Sequence, residues 1–287
     1  MPSTIPERAV RPNDLAPAQR EFLSKYCTWQ RFHHGPRQEQ KPLTRALASY
    51  PDAVLVAGCQ RSGTTMLTRV IAGAKSFRPL ALTHDDELDA ALALSAYIDL
   101  PRDTRYCLQT TYLNERYPEY RTLGPGQRLI WVLRNPASVV YSMVYNWKRW
   151  ALWELYESSR EAAAARVPGI DPPAGIGTLW RTPRTQKGIV SYVGKSAQIL
   201  EIARWLGPDR LLIVDYDEVV QGKGDWFPRI FDFIGEPYDP AYVAKVRSDS
   251  VGKAQGLSAS LRERVTQLAT PTYEECRRLR SPLRAAA

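Results

Sequence analysis

Residues 54–65 read VLVAGCQRSGTT, and the fold turns on this stretch. VLVAG is an unbroken apolar run, the pattern of a parallel strand buried on both faces. Gly58 and Gly63 have the spacing of the phosphate-binding loop G-x-x-x-x-G-K-[ST]. The lysine of that motif is missing: Thr64 stands in its place, Thr65 holds the Ser/Thr position, and Arg61 lies inside the loop. The following TMLTRVIAGA puts Met66, Leu67, Val70 and Ile71 at helical spacing. Strand, glycine loop and helix in that order aim several backbone N–H groups and the positive end of a helix dipole at one point, which makes an anion cradle. In nucleotide triphosphatases the lysine neutralises the outer phosphates and the Ser/Thr hydroxyl binds Mg²⁺. Arg61 instead offers a permanent cation with a planar fork of donors, suited to phosphate or sulfate oxygens.

Two more apolar runs follow, RLIWVL at 128–133 and RLLIVDY at 210–216. The first ends in Arg134-Asn135-Pro136 and passes into the helical ASVVYSMVYNW; the second leads into DEVV and the helical WFPRIFDFIG. Three buried strands, each feeding a helix, predict an α/β fold: a three-layer, doubly wound parallel sheet with a P-loop-like nucleotide-binding core. Ligands of such sheets gather at the strands' carboxyl ends, here GCQRSGTT, RNP and DYDE. Residues 1–50 read as an N-terminal helical arm, loose at its start and broken at Gly35-Pro36 and Pro42. Residues 51–250 form the α/β domain, and 251–287 a basic segment packed on or closing its ligand site. Within the domain, 150–190 is an excursion: a strong helix, then the Gly/Pro-rich VPGIDPPAGIGTLWRTP, a candidate lid.

The chain has 287 residues, 44% hydrophobic and 24% charged, with 39 basic and 30 acidic side chains, a net charge of +9. Residues 1–50 hold eight basic and four acidic groups, and 261–287 hold six and three, so +7 of the +9 sits at the ends. That is not the uniform basic footprint of a nucleic-acid binder; basic ends suit weak contact with an anionic membrane surface or an acidic partner. No apolar run approaches the roughly 18 residues of a membrane span, and the first residues lack a signal-peptide layout. A cytoplasmic protein with reduced thiols at Cys27, Cys59, Cys107 and Cys276 is expected. His33, His34 and His84 show no metal-ligand spacing, so no metal is expected.

LRNPASVVYS carries the second motif. Arg134 falls at a strand end, Ser142 lies eight residues on, about two helical turns, and Pro136 suits a first helical turn. An Arg and a Ser so placed can converge on a second anion. Together the motifs ask for a ligand with two anionic ends. Here the chain resembles the sulfotransferase family. QRSGTT looks like its 5′-phosphosulfate loop, RNPASVVYS like its 3′-phosphate motif, and LLIVDYDEVVQGKGDWFPRIFDFIGEPY like its later strand and helix; the resemblance spans about 52–240.

The resemblance implies a donor, 3′-phosphoadenosine 5′-phosphosulfate, a product, adenosine 3′,5′-bisphosphate, and a hydroxyl acceptor on a small molecule, sugar or lipid. It implies that Arg61 neutralises the leaving phosphate, that Ser62, Gly63, Thr64 and Thr65 hold the 5′-phosphate, and that Arg134 and Ser142 hold the 3′-phosphate. Tyr192 resembles an adenine contact and Lys253 a closing C-terminal loop. The base that takes the acceptor's proton is sought in THDDELDAALAL: Glu87 first, then His84, with Asp85 and Asp86 behind. Read without the family, this cluster is an acidic helix N-terminus capped by Thr83. Gln109, Thr110 and Thr111 are further polar candidates. Trp147, Trp150, Trp153, Tyr156 and Trp180 either line an acceptor pocket or belong to the core. Two other readings stand beside this one: a P-loop small-molecule kinase, with Asp215 and Asp217 as its only strand-end carboxylates for Mg²⁺, and a non-catalytic nucleotide-binding protein.

Overall fold

A computed structural model describes residues 8–170 and 172–280. Its sheet has four strands, β1 (Val54–Gly58), β2 (Cys107–Gln109), β3 (Arg128–Leu133) and β4 (Leu211–Asp215). All pair in parallel, in the order β2-β1-β3-β4. The chain runs from β1 outward to β2 and returns to the other side of β1 as β3, so the connections diverge between the carboxyl ends of β1 and β3, where such sheets bind ligands.

The helices are α1 (Pro17–Tyr26), α2 (Trp29–His34), α3 (Thr64–Ala72), α4 (Asp86–Leu94), α5 (Pro136–Asn146), α6 (Arg149–Ala164), α7 (Thr178–Arg181), α8 (Arg184–Trp205), α9 (Tyr216–Gln221), α10 (Lys223–Phe233) and α11 (Ala259–Arg278). Side chains alternate across the strands and sort the helices into two layers. Leu55, Ala57, Leu129, Trp131, Leu133 and Ile213 face α4, α5, α6, α8 and α11. Val54, Val56, Ile130, Val132 and Val214 face α3, α9 and α10.

β2 was not anticipated: its three residues, CLQ, give no apolar run to read. The described part of the N-terminal arm is docked rather than loose. Val10 bonds through its backbone to Pro79 and Ala81, and Leu23 and Phe32 are buried in the core; residues 1–7 lie outside the described residues. Part of the basic charge at the ends is spent internally. Arg37 pairs with Glu115 at 2.8 Å, and Arg277 and Arg280 both grip Glu218 at 2.7 Å. Residues 281–287 lie outside the described residues.

The 150–190 excursion is tied down. Trp153 Nε1 donates to Thr178 Oγ1 at 3.0 Å, and Lys187 Nζ donates to the carbonyls of Thr178 and Leu179. α6 and α8 pack so closely that a Cβ on Gly194 would sit 2.1 Å from the Ser159 carbonyl oxygen. Gly194→Ala therefore forces the two helices apart and is expected to cost about 2 kcal/mol, read as an earlier chemical denaturation midpoint; an unchanged midpoint would mean that this contact is slack.

Candidate functional site

The loop after β1 has the shape the sequence asks for, and its glycines are required. Gly58 has φ +146°, and a Cβ there would lie 2.4 Å from the Val132 carbonyl oxygen of β3. Gly63 has φ +97°, and its Cβ would strike the ring of Tyr216 at 2.1 Å. Between them Arg61 occupies left-handed backbone at φ +71°, a conformation that costs a side-chain-bearing residue on the order of 1 kcal/mol. The Ser62 N–H bonds back to the Cys59 carbonyl at 3.1 Å and its side chain is buried, so Ser62 shapes the loop and does not face its cavity. Gln60 clamps the loop from outside, donating to Thr111 O and Asn114 Oδ1, each at 3.0 Å.

No side chain caps α3. The first-turn N–H groups of a helix have no carbonyl within it, and here Gly63, Thr64 and Thr65 border a cavity of about 430 Å³. Thr64 is oriented by Gln109, whose Nε2 donates to its hydroxyl at 3.2 Å. Arg134 and Ser142 reach the same cavity from β3 and α5. Asn135 caps α5 by accepting from Ala137 N and Ser138 N, and Pro136 opens the helix.

The two motifs touch directly. Arg61 Nε donates to Ser142 Oγ at 3.0 Å, and Arg134 Nη1 donates to the Arg61 carbonyl at 3.2 Å. Arg134 is held on every side: Nη2 donates to Ser250 O at 2.5 Å, the guanidinium lies 4.4 Å over the Tyr216 ring, and Nε is 3.7 Å from Asp217 Oδ1. Burial lowers the pKa of both arginines, and Arg134 lowers that of Arg61 further. Two guanidiniums that repel one another across a small space form a site whose tension an anion relieves.

Tyr192 is a correction. It does not line the cavity; it is buried, and its hydroxyl donates to the Arg134 carbonyl at 2.8 Å, fixing that residue's backbone from behind. Lys253 stands exposed on the rim, opening a short 3₁₀ turn. Asp215 accepts from Asp217 N, Glu218 N and the Tyr273 hydroxyl, and Asp217 faces Arg134. Both carboxylates that a kinase reading would need for Mg²⁺ are thus committed elsewhere.

The acidic cluster forms the opposite wall. The cap of α4 is Asp85, not Thr83: its carboxylate accepts from Glu87 N and Leu88 N, and also from Trp29 Nε1 of α2 at 2.8 Å. Asp86 pairs with Arg69 at 2.6 Å, and His84 is exposed. Glu87 is set apart: the Thr111 hydroxyl donates to its carboxylate. Burial pushes its carboxyl up to about 7, with Asp85 adding to the rise and Thr111, Lys195 and Arg37 opposing it. Lys195, on α8, went unnoticed in the sequence. It is fully buried, its Nζ has no hydrogen-bond partner among the described residues, and burial pulls its pKa down to about 8 against Cys59, Glu87 and Glu115.

Of the polar candidates after β2, Gln109 and Thr111 border the cavity, while Thr110 turns away to the Tyr120 hydroxyl at 2.8 Å. Of the five aromatics, Trp147 alone borders it; Tyr156 is buried, and Trp150 and Trp180 are exposed. Gln60, Arg69 and Ser250 complete the walls and were missed: Gln60 stands inside the quoted loop motif but was given no role, and nothing near Arg69 or Ser250 in the sequence marks them.

A family model described as "Sulfotransferase domain" matches residues 51–255. Among solved structures, the chain is similar to the sulfotransferase domain from the Synechococcus PCC 7002 olefin synthase, at TM-score 0.51 and 15% identity over 77% of this chain and 94% of that one. It is also similar to the sulfotransferase domain from the curacin biosynthetic pathway (TM-score 0.48, 16% identity, 80% and 96% covered). A third is mouse sulfotransferase SULT7A1 complexed with PAP (TM-score 0.47, 17% identity, 85% and 93% covered). At these identities the likeness concerns the fold. No curated protein matches the chain.

The raised pKa of Glu87 has a consequence that needs no ligand. The folded protein holds this proton up to about pH 7, whereas the ordinary value is 4.5. At this group the native state therefore binds more protons than the unfolded chain inside that window, and the contribution of Glu87 to stability falls as pH rises from about 4.5 to about 7. Glu87→Gln is expected to flatten that fall, measured by urea denaturation at either end of the window. An identical fall in the variant would show that Glu87 is not desolvated.

Proposed function

This chain belongs to the sulfotransferase family, and on that premise we propose that it moves a sulfuryl group from 3′-phosphoadenosine 5′-phosphosulfate to a hydroxyl of a small molecule, sugar or lipid. The observation that carries this reading is the joining of the two cation motifs, Arg61 bonded to Ser142 and Arg134 bonded to the Arg61 backbone, beside the uncapped end of α3. A cradle of backbone N–H groups with two guanidiniums fits a donor bearing two separate phosphates. The N–H groups of 63–65 and the hydroxyls of Thr64 and Thr65 would take the 5′-phosphate, and Arg134 and Ser142 the 3′-phosphate, with Lys253 at the rim.

In this reading Glu87 is the base. It accepts the acceptor's hydroxyl proton as that oxygen bonds to sulfur, while the bond from sulfur to the bridging phosphate oxygen breaks. Arg61 meets the charge that the departing oxygen gains, the work a metal ion does in phosphoryl transfer. Thr111 keeps Glu87 in place through its hydroxyl. The mixed environment of Glu87 supports the role, because a base is most effective with a pKa near the working pH. The chain is taken to work in the cytoplasm; among the described residues no helix is long and apolar enough to cross a membrane.

Calorimetric titration tests the donor site. Adenosine 3′,5′-bisphosphate is expected to bind without metal, and Arg134→Ala to weaken it at least ~10-fold, the loss of one charge-assisted contact. Preference for ATP with Mg²⁺ would overturn the reading in favour of a kinase. A panel of alcohols tests the chemistry. Turnover of whichever alcohol reacts is expected to rise with pH through about 7, as Glu87 gives up its proton. Glu87→Gln should cost ~100-fold or more in kcat, and Arg61→Ala a comparable factor. Full rate in either variant would remove that residue from the mechanism.

A further inference from the structure

Five large hydrophobic side chains are exposed among the described residues, and four of them come from one short part of the chain. Tyr145 is 57% exposed, Trp150 49%, Ile176 60% and Trp180 71%. They stand on the end of α5, the start of α6 and the segment carrying α7, and contacts among these elements gather them on one face. Trp150 packs on Trp153 at 4.8 Å between centroids, and Trp153 bonds to Thr178. The Arg149 guanidinium lies 4.8 Å over the Trp180 ring, and Arg184 ties the start of α8 to the carbonyls of Met143 and Trp147. Between these apolar groups stand Lys148, Arg149 and Arg181, all exposed. Of the nearby carboxylates, Glu157 accepts from the Thr178 hydroxyl at 2.8 Å and lies 3.6 Å from Arg160, while Glu154 lies 3.7 Å from His33, whose pKa burial lowers to about 4.

Exposed Trp and Tyr with Lys and Arg among them is the composition of a surface that sits at the boundary between lipid headgroups and acyl chains. The cations suit anionic headgroups and the aromatic rings suit the boundary itself. A two-fold contact between copies fits less well, because it sets each patch against itself and so brings three cations against three. The face also continues to the site, since Trp147, between Tyr145 and Trp150 in the chain, borders the cavity.

We propose that this face docks the protein on the surface of an anionic lipid bilayer, with the mouth of the cavity beside the membrane. Resting on the sulfotransferase reading above, this narrows the acceptor to a hydroxyl carried by a membrane lipid.

Co-sedimentation of the full chain with vesicles tests it. Vesicles of equal parts phosphatidylcholine and phosphatidylserine are expected to pellet the protein, vesicles of phosphatidylcholine alone to leave most of it behind, and added salt to reverse the binding. Ile176→Ser with Trp180→Ser should weaken binding at least ~10-fold, as should Lys148→Glu with Arg149→Glu, each removing contacts worth on the order of a factor of ten together. All four residues are exposed, so the fold should survive, and adenosine 3′,5′-bisphosphate binding should be unchanged in both variants. That control separates the two readings: loss of bisphosphate binding in the unaltered protein sinks the donor site, not the docking face. No sedimentation with the mixed vesicles, binding indifferent to the variants, or a concentration-dependent dimer abolished by the same substitutions would each overturn the proposal.

Discussion

The ring of Tyr216 is the wedge on which the site is built. It leaves no room for a side chain at Gly63, so the loop after β1 is pressed against the end of β4. It lies under the Arg134 guanidinium from β3, 4.4 Å from ring centroid to Cζ, and its hydroxyl shares a proton position with Ser250 Oγ at 2.6 Å. One aromatic side chain thereby sets the spacing of three strand ends and of the segment that closes over them. The cations can stand this close only because the backbone around them is fixed. Arg134 is restrained by two carbonyls at its head and by Tyr192 behind its own carbonyl, so little side-chain freedom is left for an anion to freeze out.

The opposite wall follows a different rule. The cradle side is made of permanent cations and backbone dipoles, whose charge does not change with pH. The α4 side is made of carboxylates in graded environments. Asp85 is a cap, Asp86 has a guanidinium, and Glu87 has a hydroxyl and little water. Burial lifts Glu87 to about 7 and Asp89, which accepts from Leu82 N and Thr83 N, to about 6. Lys195 belongs to this wall as well. A fully buried ammonium without a hydrogen-bond partner is costly, and its field acts on Glu87 from behind the loop.

The sequence was legible where local chemistry admits one answer. Two glycines five apart after an apolar run can hardly be read otherwise once both are required to lack a Cβ, one by the Val132 carbonyl and one by Tyr216. Arg134 and Ser142 were legible because strand end and helix face are periodic properties. β2 was illegible because three residues carry no period. Tyr192 was misassigned because a tyrosine on a buried helix looks the same whether its hydroxyl meets a ligand or a carbonyl. Thr83 lost the capping role to Asp85 because both are good caps two residues apart, and Trp29, 56 residues upstream in the chain, adds a third bond to Asp85. Tyr216 and Lys195 went unseen for the same reason: their importance comes from tertiary neighbours alone.

The contact between Trp29 and Asp85 also changes how the first part of the chain should be regarded. An arm read as helical in pieces and loose at its start supplies a wall support, since α2 holds the cap of the helix that carries Glu87. Arg37, just beyond α2, acts on both Glu87 and Lys195. The residues before the sheet therefore help set the charge state of the group across from the anion cradle. The family resemblance begins only near residue 52, so the helix that holds the cap of α4 lies outside it. The loop, by contrast, has its geometry dictated within the sheet, by Gly58, Gly63 and Tyr216.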